Sequence, residues 1–173
     1  MELQREGTTG AHTTINVDYY NLHKGKYFTH AEHFDILTTA SNKFTILTPA
    51  TGHIHLRPTF ISPNADKLTM NYYEGSSGNS GGSAITPMNR DRTSSAVSGV
   101  TFKSGVTVTT NGTKLTESYL AGSEGIGQTR SGSALSPTQE WVLKPSTLYT
   151  FEFVNGSTAT NTVFVEFQWF ELA

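Results

Sequence analysis

The sequence contains no cysteine, so disulfides, thiolate metal sites and cysteine nucleophiles are excluded together, and assembly in a reducing cytoplasm is expected. Charge of either sign is sparse as well. Fourteen acidic residues stand against twelve basic ones, a formal net charge of -2, which is too even to draw in a polyanion from a distance. No cluster of Lys or Arg interleaved with aromatics occurs, which argues against nucleic acid as a direct ligand. Long apolar runs are missing too: nothing approaches the roughly 18 consecutive apolar residues of a membrane-spanning helix. Met1 to Gly7 holds no apolar signal core, so neither a spanning segment nor a secretory leader is predicted. Without that route the sequons Asn111-Gly112-Thr113 and Asn155-Gly156-Ser157 carry no weight. Helical periodicity is absent beyond about two turns in any window, so helix is expected to be scarce.

What remains is Thr, Ser and Gly with apolar residues at spacing two. Val163, Val165, Phe167 and Trp169 share one face of a strand, with Glu166 and Gln168 opposite. Just before, Tyr149, Phe151 and Phe153 alternate with Thr150 and Glu152, and Asn155-Gly156-Ser157 supplies turn chemistry. The two segments are predicted to be an antiparallel pair whose aromatic face, at about 1.5 to 3 kcal/mol per buried ring, nucleates the core. The rest of the 173 residues fits one domain packed against it.

Residues 1–26 are polar and glycine-containing yet carry Ile15, Val17, Tyr19, Tyr20 and Leu22, more bulky apolar side chains than a disordered tail holds. They are expected to form an extended N-terminal arm ordered on its own sandwich or on a neighbouring subunit, leaving 27–173 as a single sandwich domain. From Tyr27 to Leu37 the phase is mixed, Phe28, Phe34 and Ile36 sharing parity with His30 and Glu32, which points to a bulge or a partly covered edge. Phe44 and Ile46, then Ile54, Leu56 and Phe60, then Leu68, Met70 and Tyr72 are inward positions. Pro58 lacks an amide donor and marks an edge or a break. Residues 75–97 form a long loop, linker-like up to Ser83 and more specific from Ile85 to Arg92. Val100, Phe102, Val106 and Val108 resume the strand pattern, Asn111-Gly112 marks a tight turn, and 121–138 is another surface loop. About nine strands with turns between them predict an all-β fold, an antiparallel two-sheet β-sandwich of jelly-roll type.

For chemistry, His53 and His55 project from one strand face and could share a metal as in cupins. A cupin adds a carboxylate about four residues on and a later His, but Thr59 and Phe60 stand there and no His follows His55. The pair is therefore read as a polar strand face. His30 and His33 fall on opposite faces, Gly122 to Gly127 lacks the Lys and helix of a phosphate loop, and no Ser sits in a nucleophile elbow. Trp141 and Trp169 have inward parity and are expected in the core rather than on a sugar platform. No catalytic, metal or cofactor-binding residue is predicted, and the protein is expected not to be an enzyme. Arg90 and Arg92, flanking Asp91 after Pro87, offer planar bidentate donors for a subunit contact.

Thr86 to Arg92 in the long loop, Val106-Thr107-Val108 leading to Asn111 to Leu115, and Glu140 to Pro145 through Phe167 to Glu171 together resemble the small β-sandwich head decoration (cement) proteins of tailed bacteriophages. The resemblance covers about half of the chain. It implies a virion structural protein, made in the host cytoplasm, that binds the outer head surface, clamps neighbouring major capsid protein subunits and resists the pressure of packaged DNA. It further implies a homo-oligomer, a trimer favoured over a dimer; the residues themselves make Ile15, Val17, Tyr19, Tyr20, Arg90 and Arg92 the expected contacts to the partner, and charge and apolar-run length lead to the expectation of no nucleic acid and no membrane. A tail-fibre or carbohydrate-binding receptor-recognition module is the alternative on the same fold, and a cupin-like metalloenzyme using His53 and His55 the remote one.

Overall fold

The structure, a computed structural model, describes residues 2–5, 12–15, 17–62, 67–120, 132–133 and 140–172, with backbone alone for 2–5, 12–15, 17, 120 and 132–133. Its elements are β1 (Glu2–Arg5), β2 (His12–Ile15), α1 (Val17–His23), β3 (Tyr27–Ile36), β4 (Ser41–Leu47), β5 (His53–Ser62) and β6 (Leu68–Glu74). There follow β7 (Ser80–Ile85), β8 (Met88–Asn89), β9 (Thr101–Thr107), β10 (Thr113–Leu120), β11 (Gly132–Ser133), β12 (Trp141–Leu143), β13 (Leu148–Asn155) and β14 (Asn161–Leu172). One six-stranded sheet runs β10-β6-β13-β4-β9-β7; the other runs β11-β5-β14-β3-β8, with β12 also on β5. β1 and β2 form a two-stranded sheet of their own.

This is an antiparallel two-sheet jelly roll. β14 lies between β3 and β5, and β13 between β4 and β6, the double wrap in which successive strands alternate between sheets. The segment between β6 and β10 is inserted into that scheme. Its β9 and β7 widen one sheet beyond β4, and β8 adds a short partner to β3.

The inward residues meet in one core. Phe44, Phe60, Leu68, Met70, Tyr72, Phe151, Phe153, Val163, Val165 and Phe167 are fully buried, and Trp169 and Phe102 nearly so. Phe167 sits at its centre, with ring centroids of Phe102 at 4.9 Å, Phe151 at 5.1 Å, Phe60 at 5.6 Å and Phe44 at 5.7 Å. Trp169 stacks on Phe28 at 6.1 Å, and half-buried Trp141 meets Tyr72 edge-on at 5.2 Å, so both indoles pack rather than form a platform.

Three expectations need correction. β13 and β14 are not paired; they belong to different sheets, and their aromatic faces meet across the sandwich. The cause is buried Asn155, whose Nδ2 donates to the carbonyls of Ile36, Leu37 and Ala159 at 2.7 to 3.2 Å. Its Oδ1 accepts from Ser157 N and from Asn161 Nδ2. A side chain that bonds outward in this way makes a sheet-crossing corner, not a hairpin turn. Second, the 75–97 segment contains β7 and β8. Gly82 in β7 allows the close approach to β9: it has φ +73°, and a Cβ there would lie 2.5 Å from Ser104 O. Third, the N-terminal segment is not extended throughout, because Val17–His23 is helical, seven residues too short to show in a periodicity window.

Other features agree with the sequence. The β3–β14 register is continuous, so the mixed phase of β3 reflects a partly covered edge: β8 pairs only with Phe28 and Thr29. Beyond it, His30 turns its ring edge to Phe102 at 5.4 Å and its Nε2 meets Glu32 at 3.1 Å in the mouth between the sheets. On β5 the pairings with β12 and β11 cover residues 54–56 and 61–62, and Pro58 falls in the gap between them. The 121–138 loop lies outside the described residues apart from Gly132–Ser133.

Candidate partner-contact surface

The outer face of the β3-β14-β5 sheet carries a built polar layer. Alternation along β5 turns His53, His55 and Arg57 outward, and the register sets Phe170 beside His55 and Tyr27, and Gln168 beside Arg57 and Thr29. The His55 ring stacks on Phe170 at 4.6 Å and 16°, and the Arg57 guanidinium lies 5.3 Å from the same ring. Together they leave Phe170 only 2% exposed, so an outward aromatic is covered by an imidazole stacked flat on it and by a guanidinium.

Arg57 is the junction of this layer. Its Nε and Nη2 hold Glu140 Oε2 at 2.7 and 2.5 Å, and its Nη1 donates to Asp18 Oδ2 at 2.5 Å. The other Glu140 oxygen meets His55 Nδ1 at 2.5 Å. Three segments far apart in sequence, α1, β5 and the entry to β12, are thereby tied together by one planar fork. The Asp18 hydrogen bond is the chief cause raising the guanidinium further above its ordinary range, with burial opposing and Glu140 assisting. For Glu140 partial burial raises the carboxyl, but the hydrogen bonds from His55 and Arg57 and the charges of both outweigh it, leaving the pKa below the ordinary value.

The neighbouring row is held by Arg90. Its guanidinium lies 4.6 Å from the Tyr27 ring centroid, and Nη1 donates to Gln168 Oε1 at 3.1 Å, an oxygen that also accepts from Tyr27 OH at 2.8 Å. Gln168 Nε2 in turn donates to Glu166 at 2.7 Å. Asn89 fixes the root of this loop, its Nδ2 donating to Gly25 O at 2.8 Å and Ala96 O at 3.1 Å.

The sequence-predicted contact residues divide accordingly. Tyr19 is 59% exposed and meets the His23 ring edge-on at 4.3 Å, and Tyr20 is half-buried with Lys24 Nζ 5.6 Å from its ring. Arg90 is engaged within its own sheet, and Arg92 makes one long contact, 3.4 Å, to Asn89 O. Ile15 and Val17 lie in β2 and α1, and their side chains lie outside the described residues. His53 is exposed and His55 is committed to Glu140 and Phe170, so the two do not converge. Among the described residues no three His, Asp or Glu side chains assemble to hold a metal, and no helix is long and apolar enough to cross a membrane. Sequence reasoning missed Asp18, Arg57, Glu140 and Phe170. Phe170 breaks the inward alternation after Trp169, and that odd-phase aromatic was the available signal.

Compared with known proteins, the chain matches no family model and has no significant match among curated proteins.

Proposed function

We propose that this protein is a structural component of a tailed-phage virion, a head decoration protein. Its jelly roll would sit on the outer capsid surface and its N-terminal segment would bind the major capsid protein, with three copies meeting at a junction. The observation that carries the reading is the placement of β1 and β2, which pair with each other and belong to neither sandwich sheet. A two-stranded hairpin alone is marginal in water and needs a surface to lie on. Behind it the chain is rooted on the sandwich by the Asp18–Arg57 pair, so force on the hairpin is delivered to β5, the strand beside central β14. Ordering such a segment costs about 1 to 2 kcal/mol per residue in backbone entropy. Affinity therefore depends on a few buried side chains and on many copies engaging one shell together.

The experiment is to mix the purified protein, and a variant lacking residues 1–16 that keeps α1 and its anchor, with heads assembled without it. Saturable, symmetric surface density from the intact protein and its loss from the folded variant are expected. Absence of density from the intact protein overturns the reading, and full binding by the shortened one removes the hairpin from it.

A further inference from the structure

The outer face of the opposite sheet is organised by a β-bulge. Between Lys114 and Thr116 the β10–β6 register shifts, so Leu115 packs against the core while Lys114, Glu117 and Tyr119 emerge together on the solvent face. In a regular strand residues three apart point to opposite sides; here the Lys114 ammonium meets the Glu117 carboxylate. Bulges re-aim side chains in this way, often beside binding sites. Tyr119 OH donates to Glu117 Oε1 at 3.0 Å, and Tyr119 is 74% exposed. The pairing then sets Asn71 of β6 between Glu117 of β10 and Glu152 of β13. Asn71 is 7% exposed, and its Oδ1 has no hydrogen-bond partner. A buried acceptor without a donor is a feature that folded chains rarely keep without cause. Next in the row, Glu152 pairs with Lys43 at 2.9 Å and accepts from Tyr73 OH at 3.1 Å.

We propose that this face is a carbohydrate-binding site for neutral glycans. A sugar ring supplies what the row lacks: an apolar C–H face for the exposed Tyr119 ring, and hydroxyl groups that both donate and accept. Asn71 Oδ1 is closed off from solvent in this structure, so a hydroxyl proton satisfies it once neighbouring side chains shift, and the carboxylates of Glu117 and Glu152 accept from the adjoining hydroxyls. Lys114 and Lys43 donate to hydroxyl oxygens. Each cation has a carboxylate beside it, so the site offers no net charge to an anion, which excludes phosphates and acidic glycans as the primary ligand. Adjacent strands stand about 4.8 Å apart, so Glu117, Asn71 and Glu152 step across the face at the spacing of a saccharide unit. The inference is independent of head binding, since the free protein would capture a soluble glycan.

The test is isothermal titration of the full-length protein with four neutral tetrasaccharides, maltotetraose, cellotetraose, chitotetraose and mannotetraose. Binding of at least one is expected, weakened about tenfold or more by Tyr119→Ala and by Glu117→Gln, both at exposed positions and both checked for an unchanged melting temperature. If none of the four binds at millimolar concentration, or if the binding survives Tyr119→Ala undiminished, the proposal is wrong.

Discussion

Replacing Arg57 by Gln removes the fork that ties α1 to the sheet, and the size of the effect follows from the exposure of the pair. The Arg57 and Asp18 side chains are 25% and 38% exposed, so solvent screening keeps their interaction near the upper end of exposed ion pairs, about 1 kcal/mol. Loss of that amount should show first as local opening of α1, because the amides of Lys24, Gly25 and Lys26 bond to the Tyr20, Leu22 and Asn21 carbonyls within the same segment. Hydrogen exchange over residues 20–26 should then accelerate about fivefold, while residues 163–169 in the sheet centre stay at the global rate. A double-mutant cycle with Asp18→Asn isolates the pair from the Glu140 contact, and the coupling should be about 1 kcal/mol. Unchanged exchange over 20–26, or strict additivity in the cycle, would mean that buried Asn21 and the turn to Gly25 hold the helix without the clamp.

Glu140 also gives the protein an acid limit. Its folded-state pKa lies below the ordinary 4.5, so its contribution is complete above that value and is lost as pH falls through the lowered pKa. Glu74 acts in the same direction, because the Lys144 hydrogen bond chiefly lowers its pKa against partial burial, with Tyr149 assisting. Melting temperature should therefore decline below about pH 4.5, and Glu140→Gln should flatten that decline; a variant curve parallel to the parent's would contradict it. At the core, Phe167→Ala should cost about 3 to 5 kcal/mol, a large share of the about 5 to 15 kcal/mol that domains of this kind possess. Urea denaturation measures it, and a loss below about 2 kcal/mol would show that the four surrounding rings collapse into the space.

Period-two alternation made the core legible because a buried face leaves its mark on every second residue. Phe44, Ile54, Met70, Phe151 and Trp169 all point where their parity directs them. Alternation says nothing about which strand lies beside which, and the turn residues 155–157 suit a hairpin as well as the corner that Asn155 builds through its bonds to Ile36 and Leu37. β7 was hidden for a different reason. Glycine and serine strands bury nothing, and their pairing rests on backbone hydrogen bonds that composition does not reveal. The polar layer on the outer face was invisible in principle, since Asp18, Arg57 and Glu140 become neighbours only after the chain has wrapped. The Lys114–Glu117 pair needed the bulge at Leu115, which no pattern in Thr113–Leu120 announces.

The position of β14 bears on biosynthesis. Tyr27 and Gln168, hydrogen-bonded in the finished sheet, are 141 positions apart, and β3 and β5 have no bond to each other until β14 comes between them. A nascent chain therefore leaves the ribosome with the middle of one sheet missing, exposing two strand edges that any other nascent copy could fill. Such long-range closure is slow, on the order of milliseconds to seconds. Over that interval protection must come from the strands themselves. β3 carries His30, Glu32, His33 and Asp35 along its length, and β5 carries Pro58 and Arg57, features that discourage edge-to-edge association. High-level expression should therefore be limited by chains that stop short of Asn161 more than by the stability of those that finish.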